Sequence, residues 1–61
     1  MSIRAVAESV QNCKLNANKL RAMASSCGNP EVEKILMIAA HHLDVAVAEL
    51  DYILTSATVS T

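Results

Sequence analysis

The chain has no tryptophan and no phenylalanine, and Tyr52 is its single tyrosine. It has one glycine and one proline in 61 residues. A β-sandwich or barrel needs a turn with special backbone geometry every few residues, so this scarcity leaves room for one turn and excludes all-β folds. An excess of charge of either sign is also missing: five basic and six acidic residues give a net charge of −1. A nucleic-acid-binding domain is usually clearly basic, and one that reads bases usually carries aromatics to stack on them. Long apolar runs are absent too. The longest, Ile35–Ala40, is far short of the roughly 18 residues of a membrane span. Met1-Ser2-Ile3-Arg4 lacks the apolar core of a signal peptide. The two cysteines, Cys13 and Cys27, would lie about 21 Å apart along one helix, beyond disulfide reach. Free thiols fit a reducing compartment, so a cytoplasmic location is expected.

What the chain does have is apolar mass suited to helices. Hydrophobic residues make up 52% of it, as Ala, Val, Leu, Ile and Met. Ser2 is placed to cap a first helix over about 3–27, its hydroxyl accepting a free N–H of the first turn. Gly28 suits the left-handed residue that ends a helix. Asn29 reads as the next cap and Pro30 as the first helical position, where its missing N–H costs nothing. Glu31 and Glu33 place negative charge in the first turn, where the helix dipole favours it. The second helix is expected over about 30–55. Residues 56–61, rich in weak helix formers, are expected to fray.

Apolar spacing sets the architecture. In helix 1, Ile3, Val6, Val10, Cys13, Ala17, Leu20, Ala24 and Cys27 alternate steps of three and four. In helix 2, Val32, Leu36, Ala39, Leu43, Ala46, Leu50 and Ile53 do the same. These are heptad seams. Folding at Gly28–Asn29 predicts layers whose residue numbers share a sum of about 56, such as Leu20 with Leu36 and Val10 with Ala46. The fold class is therefore all-α, a single antiparallel helical hairpin. The Ala17–Ala39 layer is small on both sides, and Ala40, Val47 and Leu54 widen the stripe on helix 2. These five residues predict self-association into a dimeric four-helix bundle or larger oligomer. A core this short supplies only about 3–5 kcal/mol by itself, which points the same way.

A second column, Ile38, Val45 and Tyr52, recurs every seven residues on the other side of helix 2, with Ile35 and Met37 beside it. A helix apolar on two faces is usually buried on both, so this column is the expected docking surface for a protein partner or a second self-association surface; scattered exposed side chains are the bland alternative. Chemistry finds little support. No Gly-rich phosphate loop occurs, and no nucleophile has a base and an orienting partner. His41 and His42 are adjacent and point about 100° apart. His41 with Asp44 reverses the Glu-x-x-His order of di-metal bundles, and the seam carries no carboxylate. No catalytic residue, metal or cofactor is expected. His42 near Glu49 is placed to edge an interface. Cys13, on the seam, is expected to be buried and inert.

Two resemblances bear on class. The hairpin plan, length and mixed small-and-large layers resemble Rop, a plasmid RNA-binding helical-hairpin dimer, in architecture and not in sequence. That likeness implies a nucleic-acid-binding modulator acting through the polar side of helix 1, where Asn12, Asn16 and Lys19 share a face. Ile38-Ala39-Ala40-His41-His42-Leu43, with Ala46, Ala48 and Leu50, resembles the second helix of short uncharacterised bacterial hairpin proteins and implies no activity. The reading that follows is a non-enzymatic, self-associating interaction module, adaptor or regulator. The alternatives are the Rop-like modulator and a small-molecule sponge at a subunit interface.

Overall fold

The computed structural model describes residues 2–59, with side chains to residue 56. Two helices make up the fold: α1 over Ile3–Ser26 and α2 over Pro30–Val59. They pack antiparallel into a rod of 49 × 14 × 14 Å. Among the described residues there is no strand.

Local chemistry sets the ends. Ser2 has extended backbone, and its Oγ accepts from the Ala5 N–H at 3.1 Å. The Val6 N–H donates to the Ser2 carbonyl at 3.2 Å. At the far end of α1, Gly28 takes φ +68°, the left-handed turn expected of it. Asn29 then opens α2: its Oδ1 accepts from the N–H groups of Glu31 at 3.0 Å and Val32 at 3.2 Å. Its carbonyl receives the Glu33 N–H at 2.8 Å. Asn29 thus gives acceptors to the N–H groups of Glu31, Val32 and Glu33 in the first turn of α2. A Cβ added to Gly28 would meet nothing within 4 Å, so Gly28→Ala pays only backbone strain. It should lower unfolding stability by about 1–2 kcal/mol, read from urea denaturation, without altering helix content under native conditions.

α2 runs to Val59, past the boundary expected near residue 55. Propensity differences of a few tenths of a kcal/mol per residue do not stop an established helix. Of the tail expected to fray, residues 60 and 61 lie outside the described residues.

The core is narrow. Val6, Val10, Ala17 and Ala24 on α1 and Ala40 on α2 are buried, Ala40 with 0% exposure. Cys13 and Leu20 on α1 are half-buried, as are Leu36, Leu43, Val47, Leu50 and Leu54 on α2. The α1 ladder is the one the spacing predicts, except that Ile3 stays exposed. The α2 ladder is rotated. Ala40 is its most deeply buried residue, with Val47 and Leu54 half-buried in the same column, whereas Val32 and Ile53, expected in the seam, are 41% and 42% exposed. Ala17 and Ala40 are therefore enclosed by the hairpin's own helices. Ala39 is half-buried, and Val47 and Leu54 flank the seam from the α1 side.

Burial of Leu36, Ala40, Leu43, Val47, Leu50 and Leu54 fits a register in which facing numbers add to about 60 rather than 56. Leu20 then stands level with Ala40, and Ala17 with Leu43, small against large, so the layers interlock. The Arg21–Asp44 ion pair agrees. Its numbers add to 65, five beyond 60, an axial gap of about 7.5 Å. Side chains of antiparallel helices lean toward their own N-termini, here toward each other, and close that gap. At 56 the gap would be about 13.5 Å on top of the interhelix spacing, more than an arginine and an aspartate span together.

Candidate functional site

A two-helix rod has four sides, and the α2 rotation makes them unlike. Each residue turns about 100° on a helix, which places Arg21 and Asp44 on one flank. Lys14, Gln11 and Asn18 of α1 and Glu33 and Asp51 of α2 share that flank, all exposed. The ion-pair partners are themselves 38% and 48% exposed, so the pair contributes modestly, up to about 1 kcal/mol. It also marks the azimuth at which α2 sits against α1.

The opposite flank is apolar and open. Cys13 and Leu20 from α1 and Leu36, Ala39, Leu43, Ala46 and Leu50 from α2 are half-buried there. Val32 and Ile53 continue the strip at its two ends, and Ile35 lies beside it, largely exposed. His42 and Glu49, both exposed, form its border on α2. Cys13 is thus half-buried on the open flank and not sealed in the core as expected. Cys27 is also half-buried, its Sγ donating to the Ala24 carbonyl at 3.3 Å and the Asn29 carbonyl at 3.4 Å.

On the outer side of α2 the column of Ile38, Val45 and Tyr52 is exposed, Tyr52 most of all at 75%. Met37 stands exposed nearby. The structure brings these residues to one face, as their seven-residue spacing requires. The outer side of α1 is mostly polar, with Leu15 53% exposed among its polar residues. Asn12, Asn16 and Lys19 are exposed there, and Arg4 pairs with Glu8 across one turn at 3.5 Å.

Nothing in the described residues concentrates chemistry. No three His, Cys, Asp or Glu side chains come together there, and no pocket forms between the two helices. The His41 and His42 rings are 6.4 Å apart, centre to centre, and tilted by 49°. Asp44, considered with His41 from its spacing, is instead engaged by Arg21. That ion pair was not anticipated. Its signal lay in two opposite charges beside the two seams, readable only once the azimuth of α2 was known. Among the described residues no helix is long and apolar enough to cross a membrane. Comparison of the chain with family models, curated proteins and solved structures finds no match.

Proposed function

We propose that this chain is a small, non-enzymatic interaction module that works as a homo-oligomer and serves as an adaptor or regulator. The observation that carries this is the amount of surface left open. The hairpin exposes 4547 Å², whereas a compact folded chain of its mass exposes about 3,800 Å². Two separate copies expose twice 4547 Å²; a single compact particle of doubled mass exposes about 6,300 Å². Closing that difference would bury about 2,700 Å², within the range of obligate homodimers. The open flank gathers half-buried Leu36, Leu43 and Leu50 into one apolar strip, with exposed Val32 and Ile53 at its ends. A four-helix bundle would complete their burial. In this reading the polar side of α1 faces solvent, and the Ile38–Val45–Tyr52 column remains available to a protein partner. A reducing cytoplasm would keep Cys13 and Cys27 as thiols.

Absolute mass by light scattering at micromolar concentration tests this. A dimer or larger particle is expected, with helicity falling on dilution as the particle dissociates, because fold and assembly are linked. A monomer that unfolds cooperatively and independently of concentration would overturn the reading. Tyr52→Ala should leave particle mass unchanged and shift stability by less than about 0.5 kcal/mol. If the column binds a partner, the same substitution should weaken that complex by about 1–3 kcal/mol.

A further inference from the structure

We propose that the open flank is covered by a second copy of this chain, related by a two-fold axis that crosses α2 at Leu43, so that α2 lies antiparallel on its own mate. This rests on the self-association reading above and specifies its geometry.

The first argument is symmetry. A two-fold contact pairs residue i with j and j with i, so a helix face that meets itself antiparallel must read alike in both directions. The α2 face turned to the open flank does so. Outward from Leu43, Ala39 is matched by Ala46, Leu36 by Leu50 and Val32 by Ile53. These pairs have numbers adding to 85 or 86, so all four layers close in one register. Two alanine layers flank the central leucine, which lets the helices approach while leucines fill the next layers. The column that α1 covers, Ala40, Val47 and Leu54, grades from small to large and has no such symmetry. On α1 the same axis passes at the level of Ala17, and Cys13 and Leu20, half-buried on this flank, stand four and three residues to either side.

The second argument is charge. His42 and Glu49 border the flank, and their numbers add to 91, five beyond the layer sum of 86. Arg21 and Asp44 meet within the hairpin at the same offset of five. Antiparallel packing therefore brings His42 of each copy toward Glu49 of the other, twice per dimer. Parallel packing would set Glu49 against Glu49. Glu49 against Glu49 disfavours the parallel orientation, and in the antiparallel one an imidazole N–H of His42 can donate to the facing carboxylate.

Disulfide trapping in the full-length chain tests the register. The background carries Cys13→Ala and Cys27→Ser, after its particle mass is shown to equal that of the wild type. Diamide is the oxidant; it takes two electrons and two protons from each pair of thiols. Leu43→Cys, on the axis, should form covalent dimers with itself. Ala39→Cys and Ala46→Cys are conservative in size and keep the test valid should Leu43→Cys fold poorly. Each alone should trap little, since each would lie about 10 Å along the axis from its own mate. Mixed together they should trap at least about ten times more, because the pair comes within disulfide reach. Equal trapping of Ala39→Cys with itself and with Ala46→Cys, in a sample that remains dimeric, would overturn the antiparallel register and leave self-association standing. A monomeric wild-type chain would overturn both.

Discussion

Ala40→Glu should abolish the fold at every protein concentration. Ala40 has 0% exposure in the hairpin itself, so a carboxylate there is forced between α1 and α2; in the register of about 60 it faces Leu20, and the nearest cation, Arg21, is already engaged by Asp44. An unpaired buried charge costs several kcal/mol, as much as the roughly 3–5 kcal/mol of net stability that a chain this short holds. The expected result by circular dichroism is loss of most helical signal and of the cooperative melting transition, with no recovery on concentrating the sample. Ala48→Glu is the control. Ala48 is on the same helix but exposed, and the change should move stability by less than about 0.5 kcal/mol. A folded Ala40→Glu chain would mean that the helices pack at a different azimuth.

The second large effect is expected one residue earlier, and its character differs. Ala39 is half-buried on the open flank, where a glutamate side chain can turn to solvent in an isolated hairpin. In the proposed dimer Ala39 faces Ala46 of the other copy, and the substitution occurs twice. At about 2 kcal/mol for each desolvated carboxylate, Ala39→Glu should weaken the dimer by about 4 kcal/mol, on the order of 1,000-fold. Helicity should fall with it at micromolar concentration and return as the sample is concentrated, which separates this variant from Ala40→Glu. Adding Ala46→Lys to the same chain places a lysine opposite each glutamate and should recover a measurable part of the loss. Sedimentation velocity over a hundredfold range of concentration reads both outcomes. An Ala39→Glu chain with the wild-type association constant would show that the flank is not the contact.

The contrast between neighbours 39 and 40 marks the limit of sequence reading for this protein. Where both helices start and where α1 stops was legible, because the determinants are local. Ser2 and Asn29 cap through their own side chains, Pro30 has no N–H to lose, and only Gly28 tolerates its positive φ. The α1 seam was legible as well, since its apolar column runs from Val6 to Ala24 without a break, while Leu15 and Met23 stand singly elsewhere on the helix. On α2 three adjacent columns are apolar: Val32, Ala39, Ala46 and Ile53; then Leu36, Leu43 and Leu50; then Ala40, Val47 and Leu54. A heptad pattern identifies the middle column and leaves the rotation open, because Ala39 and Ala40 bury nearly the same area and differ only by about 100° in direction.

The tertiary structure decided that rotation. Turning Ala40, Val47 and Leu54 toward α1 brings Asp44 to Arg21 and sets small residues of one helix against large residues of the other. It also turns the outer column of the expected seam, with His42 and Glu49 beside it, away from α1. The candidate site follows from this. Val32 through Ile53 was readable as an apolar seam, but that the seam lies open on one flank depends on where α1 sits. Helix ends, chain reversal and the stock of apolar surface were determined by the sequence through short-range hydrogen bonding and side-chain spacing. The azimuth of α2, and with it the division into covered and uncovered faces, depended on packing and an ion pair between residues distant in sequence.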